Sequence, residues 1–155
     1  MNYWLFKTEP ETFSVDDLAG SPRATTRWDG VRNYQARNML RDDVRVGDRG
    51  FLYHSSCAVP AITAILEVVR AGYPDPSAFD RRSPYYDADS ERTEPRWYSV
   101  DVRLERRLER PVTLEQLRAH AAGPLEHMVI LRKGNRLSVT PLTRDEWRFI
   151  LSLER

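Results

Sequence analysis

A tryptophan in a polar, loop-like stretch is the first residue of this chain whose chemistry calls for an explanation. Thr25-Thr26-Arg27-Trp28-Asp29-Gly30-Val31-Arg32-Asn33-Tyr34 sets Trp28 beside Arg27, Arg32 and Asn33, where hydrophobic patterning alone does not account for it. Two roles are open to it. The indole could lid the core, or it could be a stacking wall, since its face takes any planar base at about 1–3 kcal/mol per stack. Further along, Tyr53-His54-Ser55-Ser56-Cys57 ends a predicted strand with hydroxyl groups suited to reading a base edge. Trp97, on the strand face opposite Tyr98, offers a second wall. Two rings and a few hydrogen-bonding groups would make a pocket for a flipped or unstacked nucleobase.

Competing chemistries find little support. The seven glycines are scattered singly and none precedes Lys-Ser or Lys-Thr, so no phosphate loop is present. His54, His120 and His127 form no His-x-x-x-His pair and have no cysteine cluster, so neither a dedicated metal site nor a cofactor is expected. Cys57 follows His54 by three residues, and a thiolate beside an imidazole would suit an enzyme acting on a nucleobase or nucleotide. Its plainer role is a small buried filler. Asp16-Asp17 and Asp42-Asp43 fit solvated faces on a chain that is 30% charged. A binding module, not an enzyme, is expected.

With 155 residues and 41% apolar content, the chain fits a single domain over 1–155 and is neither disordered nor fibrous. No apolar run approaches the roughly 20 residues that span a bilayer, so no membrane association is expected. Met1 to Lys7 lacks the pattern of a signal peptide, and one cysteine cannot make an internal disulfide. A reducing cytoplasm fits best, or a nucleus in a eukaryote. Net charge is only +1, which denies the chain a global electrostatic pull on nucleic acid. Yet 22 arginines stand against 2 lysines. A GC-rich genome yields this bias without function, whereas guanidinium forks also suit phosphates and base faces. The charge is polarised, with a local +3 over residues 21–50 and −3 over residues 1–20.

Elements able to position these groups are legible. Phe13-Ser14-Val15-Asp16-Asp17-Leu18, Val112-Thr113-Leu114-Glu115-Gln116-Leu117 and Leu142-Thr143-Arg144-Asp145-Glu146-Trp147 each signal a capped helix start. A weaker helix follows Asn33. Strands are predicted over 3–7, 50–54, 61–69 and 97–108. Residues 125–133 lean to a helix capped by Gly134, and 73–96, with Pro74, Pro76, Pro84, Pro95 and Tyr85-Tyr86, form the one long loop. The elements do not alternate as βαβ units. The expected fold class is α+β, mainly β: a mixed, mostly antiparallel small barrel with peripheral helices.

Several of these segments together resemble the EVE domain family, and within it the thymocyte nuclear protein type. The matching blocks are Tyr3-Trp4-Leu5-Phe6-Lys7-Thr8-Glu9-Pro10-Glu11, Phe13 to Leu18, the Thr26-to-Asn38 segment, Phe51 to Cys57, Tyr73-Pro74-Asp75, Trp97 to Val102 and Arg136 to Leu142. They run in order over essentially the whole chain. The resemblance implies a PUA-like β pseudo-barrel, related to YTH readers of methylated RNA, and a reader of a modified nucleobase such as modified cytosine in DNA or a modified base in RNA. Carried over by position, Trp28 would be a cage wall and Asn33 a base-edge partner, with Tyr53, Ser55 and Trp97 as further lining. Lys7 and Arg32 would meet a phosphate or the base from the pocket rim. Two departures stand out: Ser56 where many relatives carry Asn, which would alter base preference, and Pro60-Ala61 where Pro-Gly is common.

The expectation is therefore a base extruded against Trp28, with Arg27, Arg32 and Arg37 on phosphates or the rim. The partner is DNA or RNA carrying a modified base, with oligomeric state open. A protein-interaction module built on Trp97, Tyr85 and Tyr86, and a pocket for a free modified nucleoside, are the alternatives beside the enzyme.

Overall fold

The computed structural model describes residues 1–155. Six strands, β1 (Tyr3–Thr8), β2 (Thr25–Trp28), β3 (Arg49–His54), β4 (Ala61–Pro74), β5 (Tyr98–Thr113) and β6 (Val139–Leu142), form one sheet in the order β2-β5-β4-β3-β1-β6. Only β1 and β3 pair in parallel; the other pairs are antiparallel. The mixed, mostly antiparallel α+β architecture is the one expected. The word barrel needs correction, because β2 and β6 are free edges and the hydrogen-bonded sheet does not close.

β1 and β3 are buried on both faces, which is why these inner strands read as unbroken apolar runs, Trp4-Leu5-Phe6 and Phe51-Leu52-Tyr53. Trp4, Phe6, Leu52, Leu66, Val100 and Val102 enter one core. Leu5, Phe51, Tyr53 and Ile65 enter another, closed by Leu117 of α3 (Leu114–Ala119) and by Trp147 and Ile150 of α4 (Arg144–Leu153). Phe51 stacks on Trp147 with ring centroids 4.0 Å apart. Over the first core the sheet curls until Trp28 at the end of β2 meets Phe6 of β1 edge-on, centroids 5.3 Å apart. No backbone bonds join β1 to β2, so an open seam remains between them.

The helix starts follow the predicted chemistry. Ser14, Thr113 and Thr143 cap α1 (Val15–Ala19), α3 and α4, each in a reciprocal capping box with Asp17, Gln116 or Glu146. The Asn33 side chain accepts the Ala36 amide at 3.1 Å and starts α2 (Tyr34–Asn38), which continues as a π turn over Met39–Asp43. No helix is long and apolar enough to cross a membrane.

Three local expectations change. Residues 125–133 form turns and a short 3-10 turn at Val129–Leu131, and Gly134 lies beyond that turn instead of capping it. β4 runs on to Pro74, taking the first residues of the expected loop; register shifts let it bend while staying paired. Trp28 closes a strand: Thr25–Trp28 pairs with Arg103–Val100. An edge strand of four residues with a polar outer face is too short to show period-2 alternation.

Candidate functional site

The seam between β1 and β2 holds a cleft of about 660 Å³, within the size range of ligand pockets. Lys7, Thr8 and Glu9 line it from the end of β1, and Thr26 to Val31 from the end of β2. Ser138 lies at the entry to β6, Phe13 before α1, and Tyr85 in the long loop. The walls are tied down locally. The Lys7 amide donates to the Ser138 carbonyl at 2.8 Å, and the Thr8 hydroxyl to the Phe13 carbonyl at 2.9 Å.

Trp28 packs as a lid on the core and also lines the cleft. It is 8% exposed and packs in the first core, and its remaining surface faces the cleft. Lys7 is half-buried and has no carboxylate partner, so its ammonium is a free donor on the cleft wall. Asp29 is an acceptor on the same cleft, opposite in charge to Lys7. Burial first, and repulsion from Asp75 second, push its carboxyl above the ordinary carboxylate value, against the pull of Arg27. Arg27 reaches Asp29 at 3.3 Å from an exposed position and lines the same cleft.

One buried carboxylate holds the cleft floor to the long loop. Asp75 is fully buried and accepts from the Gly30 amide at 2.9 Å, Arg32 at 2.9 Å and the Ser77 amide at 2.8 Å. Burial pushes its carboxyl up, but the bonds from Ser77, Gly30 and Arg32 outweigh that and leave it below the ordinary value. Gly30 (φ +77) sits beneath Tyr85, so near that a Cβ would stand 2.5 Å from a ring carbon.

Arg32, Arg37, Asn33 and Trp97 are brought together, but as the loop's anchorage and outside the cleft lining. Arg32 donates to the Tyr85 carbonyl at 2.6 Å and lies over the Trp97 ring at 5.2 Å. Trp97 stacks on Tyr34 with centroids 4.9 Å apart and donates its indole N–H to Asp87 at 2.7 Å. That bond is the main reason the Asp87 carboxyl lies below its ordinary value. Arg37 covers the Tyr34 ring at 5.0 Å and donates to the Arg96 carbonyl at 2.6 Å. The Trp97–Tyr34 stack is flanked by a guanidinium on each side, Arg32 over Trp97 and Arg37 over Tyr34. The expected phosphate arginines Arg32 and Arg37 are thus spent on the loop, and Asn33 is spent on its cap.

The β3 end also departs from expectation. Tyr53 points into the second core, on the sheet face away from the cleft, and burial pushes its phenol up. The one-residue alternation with Leu52 sends it there. Ser55 is buried and bonds the Thr8 carbonyl through its amide at 2.8 Å and its hydroxyl at 3.3 Å, bracing β1 from behind. Ser56 has φ 52, so an Asn at this position fits the left-handed turn, and its replacement is a backbone matter outside the cleft lining. His54 accepts the Val15 amide through Nε2 at 3.1 Å, while the Cys57 thiol contacts the His54 carbonyl. The thiol–imidazole pair of the enzyme alternative is not assembled. Nor do the three rings of the interaction alternative form a patch: Trp97 is buried, Tyr85 half-buried and Tyr86 exposed.

Asp29, Gly30 and Asp75 are not among the expected site residues, and Tyr85 is among them only in the interaction alternative. Asp29 and Gly30 sit inside the specific Trp28 block, and Tyr85 belongs to the long loop, so a local signal existed for three of them. Nothing in sequence joins Asp75 to Gly30, 45 residues away.

The EVE domain family model matches residues 2–153. Thymocyte nuclear protein 1 of Mus musculus is 45% identical over 168 aligned positions, covering 99% of this chain and 74% of the relative. Among solved structures, the human THYN1 protein in complex with 5-methylcytosine-containing DNA superposes with a TM-score of 0.94 at 43% identity, covering 99% of this chain and 98% of that one. A Pseudomonas putida protein superposes with a TM-score of 0.92 at 44% identity and 99% coverage of both chains.

Proposed function

This chain belongs to the EVE domain family, and from that premise we propose that it is a non-enzymatic module that binds DNA and reads a methylated cytosine in the β1–β2 cleft. One observation carries the reading: the open seam brings an indole with its last exposed surface (Trp28), an unpaired ammonium (Lys7) and a carboxylate held only by the exposed Arg27 (Asp29) to one cleft. Their chemistry complements a cytosine. The edge of that base offers an amino donor, which a carboxylate accepts, and carbonyl and ring-nitrogen acceptors, which an ammonium satisfies. Trp28 supplies the stacking face, and Phe13 and Val31 give apolar company to a 5-methyl group. A duplex base reaches such a cleft only by being extruded, at a cost of a few kcal/mol that the stack and the edge bonds offset.

The human relative in complex with 5-methylcytosine DNA, at 43% identity over 99% of this chain, supports methylated DNA as the ligand class. The test is an anisotropy titration with matched DNA duplexes bearing one cytosine or one 5-methylcytosine. The methylated duplex is expected to bind more tightly, and Asp29→Ala is expected to weaken it by about tenfold, near the lower end of 1–3 kcal/mol per base-edge contact. Equal affinity of the native protein for the two duplexes would overturn the reading.

A further inference from the structure

We propose a second nucleic-acid contact on the outer face of the sheet: a groove that takes the phosphates of the strand flanking the base in the cleft. This rests on the base-reading role above and extends it to the backbone. The groove encloses about 690 Å³ across β2, β5 and β4. Arg23, Arg27, Arg70 and Arg103 line it, against the single carboxylate of Asp101.

Strand register explains why these side chains converge. Arg27 lies opposite Asp101, which lies opposite Arg70, and Thr25 lies opposite Arg103. Alternation turns this row away from the core that holds Trp28, Val100 and Val102. Groove and cleft meet at β2, since Thr26 and Arg27 line both. A strand that places one base against Trp28 therefore has only an edge strand to cross before reaching the arginines.

The charge in the groove is available. Arg23 and Arg70 are exposed and neither has a carboxylate partner. Arg70 lies over the Tyr73 ring at 3.8 Å, which fixes its plane without neutralising it. Asp101 is occupied by the Tyr73 hydroxyl, so the one local carboxylate already has a donor. Arg27 and Arg103 hold Asp29 and Glu67 in exposed pairs, which exchange readily for phosphate. The turn that presents Arg23 keeps Arg23 and Ala24 at φ 57 and 50, a left-handed conformation that residues with a Cβ rarely adopt.

The experiment pairs Arg23→Gln with Arg70→Gln, both outside the base cleft. Binding of the cytosine and 5-methylcytosine duplexes is measured from 50 to 300 mM salt. Both affinities should fall together by roughly tenfold or more at low salt. The slope of log affinity against log salt should shrink by about 2, near 0.9 per lost phosphate contact. The ratio between the two duplexes should stay at the native value, whatever that value is. An unchanged slope overturns the groove even if methyl preference stands. A smaller slope upholds it as a backbone contact even if the native protein shows no methyl preference. Binding of inorganic pyrophosphate lost in the double variant, with DNA affinity and slope intact, would overturn it by making the groove a small-anion site.

Discussion

The Arg32 guanidinium and the Gly30 amide donate to the same oxygen of Asp75, each at 2.9 Å. A fully buried carboxylate thus links the cleft floor to the loop that carries Tyr85, whose carbonyl Arg32 also holds. Cleft shape and loop position are one structural variable. Asp75→Ala leaves a guanidinium and an amide without their acceptor and should cost about 3 kcal/mol, the low end for a broken buried pair because Arg32 is 24% exposed. Urea denaturation reads the loss, and a titration at saturating fold should show weakened DNA binding beside it. A variant with native stability would remove Asp75 as the anchor.

Gly30→Ala tests the ceiling of the same cleft. At φ +77 an alanine is strained, and its Cβ would stand 2.5–2.7 Å from the Tyr85 ring carbons. The ring must move. The expected outcome is a loss of about 1 kcal/mol or more in stability and a clear drop in DNA affinity. Native affinity in this variant would show that Tyr85 does not shape the binding cleft.

Two aromatic substitutions separate the cleft from the second core. Trp28→Phe keeps an aromatic ring against Phe6 but trims the stacking surface, and should weaken binding of the methylated duplex by about 1 kcal/mol. Tyr53→Phe, on the opposite face of the sheet, should leave binding unchanged. Reversed results would move the site to the β3 end.

Acid should loosen the start of α1. His54 accepts the Val15 amide, and burial, only partly offset by Asp16, holds its imidazole below the ordinary value of 6.5. The unfolded chain then takes up its proton at a higher pH than the folded chain, so stability is complete above 6.5 and declines as pH falls below it. Denaturation midpoints between pH 8 and 5 should show this decline in the native protein. In His54→Gln, which retains an acceptor that does not titrate, this contribution should vanish; parallel curves would exclude it.

Local chemistry made much of the fold legible. Ser14, Thr113 and Thr143 each announced a capped helix within a window of a few residues, and the apolar runs announced strands buried on both faces. β2 was missed because a polar four-residue edge strand carries no periodic signal, and the 125–133 segment because apolar content alone does not choose between a helix and packed turns.

Sequence by itself determined the family, the mixed mostly antiparallel sheet, and the Trp28 block as a segment whose residue types hydrophobic patterning alone does not explain. All of these are properties of residue types in short windows, or of their order along the chain. Only the tertiary structure decided which neighbours of Trp28 face the cleft. Arg32 is next to the site in sequence but is captured by Asp75, 43 residues away. Tyr53 is turned out of the cleft by the two-residue period of its strand, while Lys7 is brought in by the failure of β1 and β2 to pair. Side-chain direction and long-range charge capture depend on strand register and sheet curvature, and neither is encoded within the windows that a single sequence exposes.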